Sequence, residues 1–129
     1  MEHNKAAVMG DMGINLYQER ALNTAVFERH DYPLIALCEE VGEVMGKIAK
    51  YGRKKGMSVE EVILDIRNKY PDAMELRAAV MKEMGDVLWQ WSVLCDSLGF
   101  VAFDVALDNL MKLQDRQVRG VLNGEGDNR

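Results

Sequence analysis

The sequence predicts an all-α fold, a four-helix-type bundle with one short extra helix. Three observations carry this. Apolar residues recur at three- and four-residue spacing almost throughout. No stretch alternates apolar and polar residues as a half-buried strand does. Helix start and stop signals fall between the periodic segments.

Residues 1–13, with Gly10 and Gly13, read as a flexible lead-in, and a first helix is expected over residues 14–29. Asp31 is then placed to cap a second helix, with Pro33 in its first turn, that runs to about Lys50. Gly52-Arg53-Lys54-Lys55-Gly56 reads as a basic loop between glycines. Ser58 and Glu61 carry the signature of a capping box for the short extra helix, to about Lys69. Pro71 opens a long third helix that ends near Gly99, and a fourth is expected over residues 102–120. A glycine-rich polar tail, residues 123–129, is expected to be flexible. The second, third and fourth helices are expected to form the core.

A chain of 129 residues is one domain, residues 1–129, with enough length for a real core. Apolar residues make up 48% and charged residues 29%, as in soluble globular proteins. The net charge of −5 excludes a sequence-independent nucleic-acid binder, which needs a basic face. No apolar run reaches the ~20 residues of a membrane span, and the first residues lack the layout of a signal peptide. Cys38 and Cys95 each lie in an apolar helical stretch and are expected to be core thiols, which fits a cytoplasmic location.

Two acidic clusters stand out. Glu39, Glu40 and Glu43 lie on the second helix, and Glu83 and Asp86 on the third. Spacings of three and four residues put the acids of each cluster on one side of their helix. On the second helix alone, Leu34, Leu37, Val41, Val44, Met45 and Ile48 form an apolar stripe with Glu39 and Glu43 roughly opposite. Lys47 follows Glu43 by four residues, so this cluster by itself reads as a solvated face with an i,i+4 pair. The third helix is apolar nearly all round, which predicts burial. Glu83 and Asp86 would then be costly as ions unless paired or bound to a metal. Carboxylates from two helices can cage Mg²⁺, a hard cation, and such a cage suggests phosphate chemistry. Gly42, Gly46 and Gly85 beside them indicate either close helix packing or room for a ligand.

Other chemistry is thin. His3 and His30 form no Glu-x-x-His pair, and no Gly-x-x-x-x-Gly-Lys loop is present. Lys47, Lys50 and Arg53 follow the first cluster, and Asn109, Lys112 and Arg116 lie one turn apart on the fourth helix. Each reads singly as a surface group. Together beside a metal cage they are candidate phosphate contacts.

The pattern Glu-Glu-x-x-Glu followed by Glu-x-x-Asp resembles the signature of the MazG-type nucleoside triphosphate pyrophosphohydrolases, an all-α family. The match is closest over Leu37-Cys38-Glu39-Glu40-Val41-Gly42-Glu43-Val44 and Glu83-Met84-Gly85-Asp86-Val87-Leu88-Trp89. The resemblance implies a Mg²⁺-dependent hydrolase, with Mn²⁺ able to substitute, that cleaves a nucleoside triphosphate to the monophosphate and pyrophosphate. It implies Glu40, Glu43, Glu83 and Asp86 as metal ligands and Glu39 as the residue that orients or activates water. The Glu43-to-Glu83 gap is longer than the family's usual one, and the short extra helix fills it. Alternatives are a phosphoribosyl-ATP pyrophosphohydrolase-like enzyme and a non-catalytic helical adaptor. The apolar third helix and the resemblance both point to a homodimer or dimer of dimers. The end of the tail also resembles family members, so Arg129 is expected to reach the bound triphosphate.

Overall fold

The computed structural model describes residues 12–124 and 126. They form five α-helices, one 3-10 turn and no strand. The helices are α1 (Ile14–Leu22), α2 (Tyr32–Lys55), α3 (Val59–Arg67), α4 (Met74–Ser97) and α5 (Ala102–Arg119), with the 3-10 turn over Pro71–Ala73. The two 24-residue helices, α2 and α4, pack along each other and are the frame of the molecule.

Two helix ends differ from the sequence expectation. The first helix stops at Leu22 instead of about residue 29. The Thr24 hydroxyl donates to the Ala21 carbonyl at 2.8 Å, and the Thr24 and Ala25 amides close short turns onto Ala21 and Leu22. These local bonds satisfy the helix end and turn the chain away. The second helix runs five residues past the expected end, through the basic segment to Lys55. Arg53, Lys54 and Lys55 sit in its last turn, where cations complement the helix dipole. Gly56, at φ 67°, provides the left-handed cap.

Gly52 is buried within that last stretch, and a Cβ there would lie 2.9 Å from the Met57 carbonyl oxygen. The clash is with backbone, so it cannot be relieved by a side-chain rotation. Gly52→Ala is therefore expected to destabilise the protein by about 1–3 kcal/mol, outweighing alanine's better helix propensity. A thermal melt that moves upward would contradict this.

Ser58 forms the expected capping box: the Glu61 amide donates to Ser58 Oγ at 3.2 Å, and the Ser58 amide to Glu61 Oε2 at 2.7 Å. The Arg77 guanidinium then donates to the Ile66 carbonyl at 2.8 Å, tying the end of α3 to α4. At the other end, Val101 has no side-chain oxygen with which to cap α5, and α1 supplies the caps instead. Gln18 Oε1 accepts from the Ala102 amide at 3.0 Å, and Asn15 Oδ1 from the Phe103 amide at 2.9 Å. Gln18 Nε2 also donates to the Ser92 and Phe100 carbonyls, so this buried side chain joins α1, α4 and the turn before α5.

The expected core of second, third and fourth helices is not what forms. Among the described residues α5 makes no contact with α2 and packs on α1 and α4 alone. The side chains that are buried in the chain are mostly small: Ala21, Ala36, Val62, Ala73, Val93, Cys95 and Ala102. Cys38, expected in the core, is exposed, and only Cys95 is buried. The long apolar side chains lie largely outside. Leu34, Val41 and Met45 are exposed along α2, and Met81, Met84 and Leu88 along α4. The last helix adds exposed Phe103, Leu107, Leu110 and Met111.

Candidate metal centre

α2 turns only half of its apolar stripe inward: Leu37, Val44 and Ile48 are half-buried, while Leu34, Val41 and Met45 are exposed. The positions of α2 that are shielded include Pro33, Ala36, Glu40, Val44, Lys47 and Gly52. This row recurs every three to five residues and carries Glu40 and Lys47 toward α4. The Leu34–Val41–Met45 ridge is left facing outward. On α4, Glu83, Val87 and Gln90 continue the shielded row. Glu40 and Glu83, from different helices, thus share one interhelical space.

Three carboxylates converge there. Glu40, Glu43 and Glu83 each place an oxygen so that all three lie within 4.8 Å of one another. Glu40 and Glu83 are half-buried and Glu43 is exposed. Asp86 lies beside this group without converging on it. It is exposed, and its charge acts on Glu40, on Glu43 and on the Tyr17 hydroxyl of α1. The burial expected for Asp86 does not occur within one chain, because α2 covers only one side of α4. Glu39 is exposed and is not one of the converging carboxylates.

The electrostatics follow from the crowding. Glu40 is held above the ordinary carboxylate value, first by partial burial, then by the charges of Asp86, Glu43 and Glu83. Glu43 is also raised, chiefly by its hydrogen bond to Glu83 and by that residue's charge, with Lys47 opposing. One cation is built in. Lys47 Nζ meets Glu83 Oε1 at 3.1 Å. The lysine bridges the two helices instead of making the i,i+4 pair with Glu43 that its spacing suggests.

An all-oxygen donor set with surplus negative charge fits a hard divalent cation, Mg²⁺ or Mn²⁺. The raised carboxyls give a pH test. A carboxyl raised in the folded state holds a proton that the unfolded chain releases. Its stabilising contribution is complete below the unfolded value of 4.5 and is lost as pH rises through the raised value. In chelator, the melting temperature is expected to fall as pH climbs from 4.5 through the raised value and then to level off, and added Mn²⁺ should recover most of the loss. Parallel melting curves with and without Mn²⁺ at every pH would contradict this.

Gln90 was missed in the sequence reading. It is 4% exposed, and its amide interacts with the Glu40 carboxylate, favouring the charged form. Its spacing was a usable signal, since Glu83, Asp86 and Gln90 recur at i, i+3 and i+7 on a helix otherwise rich in apolar residues. Gly42, Gly46 and Gly85 do not serve close packing within the chain, because a Cβ at any of them would meet nothing within 4 Å. They leave open space beside the carboxylates.

The candidate phosphate contacts divide into groups. Lys50 and Arg53 are exposed on α2 beyond the cluster. Asn109, Lys112 and Arg116 are on α5, which does not touch α2 in the same chain. Arg116 is buried and donates from Nη2 to the Gly126 carbonyl at 3.2 Å, drawing the tail back onto α5. Arg129 lies outside the described residues.

Comparison with known proteins adds to the geometry. A family model described as the MazG nucleotide pyrophosphohydrolase domain matches residues 29–120, a span that holds α2 through α5 and the whole acidic centre. The chain is also similar to "Gene 37 protein" of Mycobacterium phage L5, at 32% identity over 127 residues, covering 92% of this chain and 100% of that protein. No solved structure matches.

Proposed function

Since the chain belongs to the MazG nucleotide pyrophosphohydrolase family, we propose that it hydrolyses a nucleoside triphosphate at the α-phosphorus to the monophosphate and pyrophosphate, with Mg²⁺ as cofactor. The convergence of Glu40, Glu43 and Glu83 within 4.8 Å is the observation that carries the reading. A triphosphate brings its own negative charge to a centre already in surplus, so a divalent cation is needed for the two to meet. When bound, the cation supplies charge neutralisation at the phosphate oxygens and makes water a better nucleophile at neutral pH.

The chain's own residues do the rest. Glu40, Glu43 and Glu83 would hold the cation between α2 and α4, with Asp86 beside them as a further ligand. Gln90 holds the Glu40 carboxylate in its ligating orientation, as outer partners of ligands commonly do. Glu39, exposed and one residue before Glu40, orients the attacking water from outside the cage. Lys47, Lys50 and Arg53 line one edge of α2 and receive charge on the departing pyrophosphate. Gly42, Gly46 and Gly85 keep the space above the cluster open for the phosphates.

The test is the identity of the products. Incubation with a panel of dNTPs and Mg²⁺ in ¹⁸O-labelled water is expected to give dNMP and pyrophosphate, with the label in the monophosphate. Label in pyrophosphate, or formation of dNDP and orthophosphate, would overturn attack at the α-phosphorus. A panel that includes phosphoribosyl-ATP separates the related substrate class.

The working form is a homodimer or a dimer of dimers. The support is apolar surface: the ridges of Leu34, Val41 and Met45 on α2 and Met81, Met84 and Leu88 on α4 are exposed in the single chain. No helix among the described residues is long and apolar enough to cross a membrane, so a bilayer-spanning role for these ridges has no support.

A further inference from the structure

Lys47 is the counter-ion of the acidic centre, and its placement suggests a second duty. Its Nζ lies 3.1 Å from Glu83 Oε1, across the α2–α4 space. The Glu83 side chain is 14% exposed and that of Lys47 is 39% exposed. The carboxylate is therefore fixed between the helices, while the lysine lies over the opening with a path to solvent. Glu83 is also one of the three converging carboxylates. An ammonium and a divalent cation on the same carboxylate repel each other strongly in a partly desolvated site. The lysine has a flexible four-carbon stem, and the neighbouring Gly46 leaves space into which it can swing.

We propose that Lys47 is a displaceable counter-ion. It holds Glu83 while no divalent cation is bound, yields that carboxylate when the cation arrives, and then pairs with a phosphate oxygen of the nucleotide. The inference rests on the reading of the cluster as a divalent-cation site. Its consequence is coupling. Nucleotide phosphate gives the displaced ammonium a new partner, so metal and nucleotide each strengthen the other's binding, by the same factor.

The experiment uses the full chain and three variants, Lys47→Met, Lys47→Arg and Lys54→Met. Lys47→Met keeps the stem and removes the charge, while Lys54 lies exposed near the end of α2 and controls for general electrostatics. Mn²⁺ affinity without nucleotide is read by calorimetry or by the Mn²⁺ paramagnetic resonance signal. Lys47→Met is expected to bind Mn²⁺ about tenfold more tightly than the parent protein, and Lys54→Met to match the parent. At saturating Mn²⁺, inorganic triphosphate should bind Lys47→Met at least about fivefold more weakly, with Lys47→Arg restoring most of the affinity. Unchanged or weaker Mn²⁺ binding in Lys47→Met overturns the inference, as does undiminished triphosphate binding. If the parent protein's Mn²⁺ affinity is unaffected by Glu40→Gln, the cation-site reading itself fails, and the inference falls with it.

Discussion

Glu83→Gln is expected to reduce metal-dependent nucleotide hydrolysis on the order of a thousandfold, without loss of helical content. Glu83 is the only α4 carboxylate in the converging group, so its loss leaves the α2 acids without a partner across the helices. A ligand role and a folding role separate cleanly here. A folding role would lower the melting temperature. In the metal-free protein, however, the Glu83 charge and hydrogen bond are what raise Glu43. Removing that negative charge costs the Lys47 ion pair but relieves repulsion with Glu43, which Lys47 also neutralises, so the melting temperature in chelator should hold or rise. The stabilisation that Mn²⁺ gives the parent protein should vanish in the variant. Full activity in Glu83→Gln would end the assignment of the site. Asp86→Asn tests whether the adjacent, non-converging acid belongs to the cation's ligand set, and a similar loss is expected if it does.

A monomer is not expected at micromolar concentration. Covering the two ridges removes apolar side chains from water, the dominant favourable contribution in most protein–protein association. The double variant Met45→Asp/Met84→Asp puts a charge in the middle of each ridge, at positions 65% and 54% exposed in the single chain. It should convert the assembly to monomers and lower the melting temperature by several degrees. Light scattering that shows the parent protein itself as a monomer would refute the assembly. So would an unchanged mass for the double variant, as far as these two ridges are concerned.

By itself the sequence determined the helical class, most of the helix starts, and the acids worth attention. Ser58 and Glu61 specify a capping box within four residues, and Gly120 stops α5 by its positive φ of 71°. Such signals depend on bonds between near neighbours, so no tertiary information is needed to find them. Helix ends that depend on packing were less legible. Gly52 looks like a loop residue in sequence, yet it lies within α2, and it is glycine because the Met57 carbonyl and Val62 leave no room for a side chain.

The acid motif was legible for the same reason as the capping box, since spacings of three and four residues define a helix face. Which face met which was decided only in three dimensions. Apolar periodicity alone would turn the Leu34–Val41–Met45 stripe inward. The packing of α2 on α4 turns Glu40 and Lys47 inward instead and leaves that stripe outside. A helix with two competing inward faces carries no local record of which one its own chain will cover. The same limit hid the Lys47–Glu83 bridge and the Gln90 contact, each of which joins residues 36 or more positions apart and exists only once α2 and α4 lie side by side.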